Sequence, residues 1–214
     1  SCMMAGGEQL LETLQAGAGE DVRFVAAPCI GACDKAPAAA IGHQLVAPAN
    51  VDELAGVTET PTVLPPEAAC LFDEYCEKGG YRILRELLAG ERTCDSALDT
   101  LNGAALRGLG GAGFPTGRKW RIVGGQPGPR LMAVNGDEGE PGTFKDRLYL
   151  STDPHRMVEG ILIAAHVVGI ERCFIYMRDE YPEIIALLRQ ELDRVRAAGL
   201  SDHVEIELRR GAGA

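Results

Sequence analysis

Two short stretches carry residue types that could do chemistry. The first is GLGGAGFPTG at 108–117, five glycines in ten residues, followed by Arg118, Lys119 and Arg121. Glycines let backbone N–H groups come close to a ligand, and a nest of such groups holds an anion. A lysine just behind them supplies a compact positive charge for a phosphate. Gly108, Gly110 and Gly113 fit G-x-G-x-x-G. That pattern marks a dinucleotide site only between a strand and a helix, and the preceding SALDTLNGAAL reads as helix, so an ordinary Rossmann site is excluded. The phosphate-loop pattern fails as well, because Gly117 is followed by Arg118, Lys119 and Trp120. A nucleotide or flavin phosphate cradle is one reading; a long turn with surface cations is the other.

The second stretch is AVNGDEGEPGTFKDR at 133–147, where an apolar run breaks into a loop bearing Asp137, Glu138 and Glu140. Three carboxylates beside an anion cradle make sense only if the ligand also offers hydroxyls, N–H donors or a positive charge. At the front, Cys29 and Cys33 form C-x-x-x-C, with Cys2 near the start. Thiolates on two loops suit zinc or an iron–sulfur cluster, although zinc sites more often use C-x-x-C. Buried free thiols are the alternative, and Cys70, Cys76, Cys94 and Cys173 read as structural. His43, His155, His166 and His203 are scattered; His166 falls in an apolar helix and reads as a core residue.

The elements that must position these groups follow from periodicity. Leu10, Leu11 and Leu14 predict a helix over 6–16, and Val22, Phe24 and Val25 a short strand. A short helix at 51–56 closes a small α/β unit, 1–58. The proline-rich 59–68 reads as a linker, and 59–95 as linker with short helices. Ile83, Leu84, Leu87 and Leu88 share one helical face that stops at Gly90, and a second helix runs over 95–106. The glycine loop spans 107–119. Beyond it come a strand ending in the acidic loop, a helix capped by Thr152 or Asp153 and stopped by Gly169, a strand at RCFIYMRD, a helix with Pro182 in its first turn, and a strand at HVEIELRRG. Helices alternating with short strands predict an α/β domain with a mostly parallel sheet over 96–214.

The 214 residues have 46% hydrophobic content and a mean hydropathy of −0.03, so a core can form. A net charge of −10 and 5% aromatics exclude a general nucleic-acid binder. There is no run of eighteen apolar residues and no signal-peptide pattern, which predicts no membrane insertion. Seven cysteines in such a chain point to a reducing, cytoplasmic setting. Residue 1 is Ser, and the chain ends on a strand running into Gly-Ala-Gly-Ala, so a longer protein is expected on both sides.

RGLGGAGFPTGRKW followed by VNGDEGEPGTFKDR resembles the flavin- and NADH-binding subunit shared by respiratory complex I, NAD-reducing hydrogenases and soluble NAD-dependent formate dehydrogenases. The family form has Arg where this chain has Leu109 and Ala where it has Gly136. The front end is similar to the thioredoxin-like [2Fe–2S] ferredoxin domain of the same systems, whose second cysteine pair matches APCIGACDKAPA; the family's first cysteine would precede Ser1. With GGYRILRELL and LSTDPHRMVEG, the fused arrangement resembles the beta (diaphorase) subunit of molybdenum or tungsten formate dehydrogenases.

The resemblance implies a thioredoxin-like ferredoxin domain followed by an α/β flavin- and nucleotide-binding domain. It implies FMN, NAD and a [2Fe–2S] cluster held by Cys2, Cys29 and Cys33, with a [4Fe–4S] cluster beyond the C-terminal end. Hydride would pass between NAD(H) and FMN, and electrons would pass to or from a large catalytic subunit that oxidises formate. Gly108, Gly110 and Lys119 would contact FMN; Gly111, Ala112 and Phe114 would line the NAD site, and Gly113 would belong to the same cofactor-binding loop. Asn135, Asp137 and Glu138 would bind the flavin's ribityl and ring edges. Glu140 would face the nicotinamide end as the residue closest to the chemistry.

Overall fold

The structure, a computed structural model, describes residues 1–19, 21–42, 44–55 and 70–211. Glu20, His43, residues 56–69 with the whole of the expected proline-rich linker 59–68, and the last three residues lie outside the described residues.

The front unit begins with helix α1 (Gly7–Gly17), continues through a single 3-10 turn at Cys33–Lys35 into an antiparallel hairpin of β1 (Ala39–Ile41) and β2 (Gln44–Val46), and closes with α2 (Val51–Ala55). Its small core gathers Leu14, Ala49 and Leu54, with Leu10, Phe24 and Val46 against them. The strand expected over 22–25 does not form. Val22 and Val25 are exposed, and only Phe24 turns inward. An extended segment becomes a strand only where a neighbour takes up its backbone donors and acceptors. Here the Phe24 carbonyl accepts instead from the Gln15 side chain, at 3.0 Å.

The main unit contains α3 (Phe72–Glu77), α4 (Arg82–Leu88), α5 (Cys94–Gly103), α6 (Thr116–Gly124), β3 (Leu131–Gly136), α7 (Lys145–Thr152), α8 (Pro154–Val168), β4 (Arg172–Arg178), α9 (Pro182–Ala197) and β5 (Glu205–Gly211). Strands β3, β4 and β5 pair in sequential order and all run parallel, as expected. The register sets Val134 beside Ile175 and Ile175 beside Leu208. Cys173, Ile175 and Met177, alternate residues of the central strand, are fully buried. Val158, Ile161, Leu162, Ala165 and Val168 form the apolar stripe of α8 that meets them. Asp153 caps that helix by accepting from the Arg156 N–H, and Gly169, at φ 72°, ends it. Among the described residues no helix is long and apolar enough to cross a membrane.

A buried polar chain ties α3 and α4 to this core. The Tyr81 hydroxyl meets His155 Nδ1 at 2.6 Å, and His155 Nε2 meets Glu191 Oε2 at 2.8 Å. The same carboxylate accepts from the Phe72 N–H at 2.8 Å. His155 and Glu191 are both fully buried, so the chain is worth having only because every member is partnered. His166 is half-buried and packs edge-on to His203, and burial lowers its basicity first, then its histidine neighbour.

Candidate flavin and nucleotide site

The glycine segment is a tied-off loop standing out from the molecule. Its base is closed by the Gly108 N–H donating to the Phe114 carbonyl at 3.0 Å and the Thr116 N–H to the Leu106 carbonyl at 2.9 Å. Arg107 Nη1 donates to the Gly113 carbonyl at 3.0 Å. Gly111 and Gly113 adopt φ of 99° and 59°, the left-handed region that other residues avoid. At Gly110, Gly111 and Gly113 a Cβ would meet no protein atom within 4 Å. No packed neighbour therefore requires glycine at these three positions, and the space around them is open. Ala112 is exposed, and Leu109, at the tip, is 99% exposed.

The expected loop gives way to helix at Thr116, where Pro115 sets an extended residue just before the first turn. Arg118 and Lys119 accordingly project from α6, where a helix holds their position. Both are exposed and form no ion pair among the described residues, and the Arg118 guanidinium lies over the half-exposed Phe114 ring at 5.6 Å. Gly117 is where α6 meets α5: a Cβ there would sit 2.5 Å from Asn102 Oδ1 and 3.0 Å from the Leu98 carbonyl.

The acidic loop leaves the C-terminal end of β3, the end of a parallel sheet where ligands bind in open α/β folds. Its acids have distinct surroundings. Asn135 Oδ1 accepts from the Asp137 N–H at 3.0 Å, which fixes the start of the loop. Asp137 Oδ1 is buried and has no hydrogen-bond partner among the described residues, which is unusual for a buried carboxylate oxygen. Glu140 is exposed.

Glu138 is buried and already engaged. Its carboxylate accepts from the Asp146 N–H at 2.7 Å, the Arg147 N–H at 3.2 Å and the Tyr181 hydroxyl at 2.9 Å, with Lys145 Nζ at 3.6 Å. It thus caps α7, a helix absent from the sequence-based expectation. Burial alone would raise its pKa, but the two N–H groups, the Tyr181 hydroxyl and Lys145 outweigh it and hold the carboxyl below the ordinary glutamate range. Glu138 also has φ 44°, a conformation held by the contacts around it. The side chain expected at the flavin's edge is thus already engaged within the protein.

The front cysteines dock against this loop. Cys29 and Cys33 Sγ stand 3.4 Å apart, and Cys33 Sγ accepts from the Gly142 N–H at 3.3 Å. Burial pushes the Cys33 thiol up, yet donors from Ser1, Cys29 and Gly142 more than offset it and hold the pKa below the ordinary thiol value. Cys2 uses its carbonyl to accept from the Gly7 N–H at 2.8 Å and opens α1. Among the described residues no three Cys, His, Asp or Glu side chains are arranged to hold a metal; of the expected trio, Cys29 and Cys33 stand together.

Three residues that sequence reasoning passed over hold these loops together. Arg178, at the end of β4 and 1% exposed, donates to the Glu138 and Cys29 carbonyls at 2.8 and 2.6 Å and to Glu180 Oε2 at 3.2 Å. Tyr181 lies under its guanidinium, 5.3 Å to the ring centroid. Gly31, with φ 76°, leaves room for the Tyr181 ring, which any Cβ there would strike. An arginine closing an otherwise apolar strand and a glycine between two cysteines were the available signals. Among the described residues a small cavity adjoins this cluster, lined by Ile30, Leu45, Asp179, Glu180 and Pro182, and another lies apart from it, lined by Leu192, Arg196 and Ile206.

Comparison with known proteins finds similarity to a flavin-binding family and to subunits of NADH-quinone oxidoreductases and hydrogenases. Residues 101–214 match the family model described as the Nuo51 FMN-binding domain. The F subunit of the NADH-quinone oxidoreductase of Aquifex aeolicus (strain VF5) is 41% identical over 151 residues, 67% of this chain and 35% of that protein. The HndC subunit of the NADP-reducing hydrogenase of Solidesulfovibrio fructosivorans is 39% identical over 152 residues, 67% of this chain and 30% of that one. This chain therefore spans about a third of the length of the curated relatives it matches. The solved structure of an NAD+-reducing [NiFe]-hydrogenase in its H2-reduced state superposes with a TM-score of 0.80 at 30% identity, covering 100% of this chain and 42% of that one. The α/β architecture is shared with that chain.

Proposed function

Because the chain belongs to the family of Nuo51 FMN-binding domains, we propose that it is the NAD(H)–flavin electron-transfer part of a larger oxidoreductase. The single observation that carries the site assignment is the complementary pair of loops. One loop is open and glycine-lined, with exposed cations behind it; the other presents a buried acceptor without a partner at Asp137. FMN suits both, having a phosphate at one end and hydroxyls and a ring N–H toward the other. In this reading the backbone N–H groups of Gly110 and Gly113 and the Lys119 ammonium would hold the phosphate, with Gly108 in close contact at the closed base of the loop. Asn135 and Asp137 accept from the ribityl and ring donors. Gly111, Ala112 and Phe114 line the NAD(H) side. Bound FMN supplies exchange of a hydride with nicotinamide and release of electrons singly.

Glu140 is exposed on the same loop, free to face the nicotinamide. A carboxylate there favours the cationic oxidised ring over the neutral reduced one by Coulomb attraction. Glu138 acts one step back, by fixing the loop. No side-chain nucleophile or general base is required.

The finer assignment is a soluble NAD-dependent formate dehydrogenase, whose partner is a large molybdenum or tungsten subunit. Support comes from the cysteine-bearing unit preceding the flavin unit in one chain and from GGYRILRELL and LSTDPHRMVEG. A hydrogen-oxidising partner is the second reading, favoured by the superposition covering 100% of this chain on an NAD+-reducing [NiFe]-hydrogenase. The test is to purify the native complex and assay its metals and its donor. Molybdenum or tungsten with formate-dependent NAD+ reduction supports the first reading; nickel with hydrogen-dependent reduction supports the second. Iron and sulfide content of the full-length protein tests the [2Fe–2S] reading of Cys2, Cys29 and Cys33 and the [4Fe–4S] reading beyond residue 214. A full-length protein that carries no flavin and binds none would overturn the proposal.

A further inference from the structure

We infer that Arg178 is a positioning residue that couples the acidic loop to the cysteine loop, so that filling the flavin site steadies residues 29–34 as well as 137–147. This rests on the flavin assignment above. Neither loop is regular secondary structure where they meet, and each offers Arg178 a backbone carbonyl, from Glu138 at 2.8 Å and from Cys29 at 2.6 Å. The guanidinium that takes both is anchored at the end of the central strand, buried, paired with Glu180 and seated on the Tyr181 ring. The planar fork holds its donors in fixed directions, so the two carbonyls cannot move independently while both bonds last; a lysine ammonium lacks that geometry.

Tyr181 doubles the link. Its hydroxyl donates to Glu138 Oε2 at 2.9 Å, and its ring fills the space left by Gly31 in the middle of the cysteine loop. Two further contacts run the same way: Gly142 N–H to Cys33 Sγ at 3.3 Å, and Arg147 Nε to the Gly31 carbonyl at 3.2 Å, with Arg147 also paired to Asp34. A ligand that orders one loop lowers the entropy still to be lost by the other, which is coupling without a large change of shape.

The experiment is amide hydrogen exchange on flavin-depleted full-length protein, with and without added FMN. In the wild type FMN should slow exchange in 137–147 and, by about fivefold or more, in 29–34, the lower end of ordinary coupling between sites. In Arg178→Lys FMN should still slow 137–147 while the effect on 29–34 falls away. Exchange in α8 should stay unchanged and so report an intact core. Tyr181→Phe, which keeps the ring and loses the hydroxyl, should give an intermediate effect and carries the test if the first variant does not fold. Slowing confined to 137–147 in the wild type overturns the coupling and leaves the flavin assignment standing. Undiminished transmission in both variants overturns the positioning role of Arg178 and Tyr181 and likewise leaves the flavin assignment standing. Slowing in neither segment overturns the flavin assignment itself, and this inference with it.

Discussion

Replacing Glu138 by Gln should cost stability first and flavin affinity second. The carboxylate is fully buried, with Oε1 accepting from the Asp146 N–H at 2.7 Å and Oε2 from the Arg147 N–H and the Tyr181 hydroxyl. An amide keeps one oxygen and sets an NH2 against a donor, so one buried N–H is left unmatched, at about 1–3 kcal/mol. Removing a negative charge from the start of α7 adds about 0.3–1 kcal/mol, nearer ~2 in a buried setting. The sum is about 1–5 kcal/mol, a fall in Tm of roughly 3–20 °C for a protein of this size. The pH dependence has a definite sign. The folded-state pKa lies below the ordinary 4.5, so the stabilisation is fully present above that value and is lost as pH falls through the folded-state value. The gap between wild type and variant, measured by thermal or urea unfolding across pH, should be constant near neutrality and close in acid. A variant with unchanged Tm and FMN affinity lowered tenfold or more would refute this reasoning and return Glu138 to the flavin.

Gly117→Ala should push α6 away from Asn102 and Leu98, lowering stability by about 1–3 kcal/mol. Since α6 carries Lys119, FMN affinity should fall with it, as read by quenching of flavin fluorescence. Leu109→Ala removes a side chain that is 99% exposed, so unfolding should change by less than about 0.5 kcal/mol. Glu140→Gln should weaken NAD+ binding more than NADH binding; equal changes in the two dissociation constants would contradict its placement at the nicotinamide.

Much of the fold was legible because its elements follow local rules. The stripe on α8, the Asp153 cap, Gly169 and the apolar runs of β3, β4 and β5 each declare themselves within a few residues. What escaped depends on contacts distant in sequence. Helix α7 starts where a carboxylate seven residues earlier reaches its first N–H groups, a cap that no pattern of neighbours reveals. The segment at 22–25 has strand composition but finds no partner edge. For the site, residue types and spacing identified both loops. They could not tell Glu138, turned inward onto Tyr181, from Asp137, whose Oδ1 has no partner, because the two are adjacent acids on one loop. Arg178 and Cys29 lie 149 positions apart, beyond anything periodicity can connect.

The central claim is that one FMN spans the glycine loop and the acidic loop, and an experimental structure of the full-length protein with FMN tests it most directly. The account predicts the phosphate against the N–H groups of 109–113 with Lys119 beside it, and a flavin or ribityl donor within hydrogen-bond distance of Asp137 Oδ1. Glu138 should still cap α7. A flavin bound elsewhere, or one that leaves Asp137 Oδ1 without a partner, would contradict it.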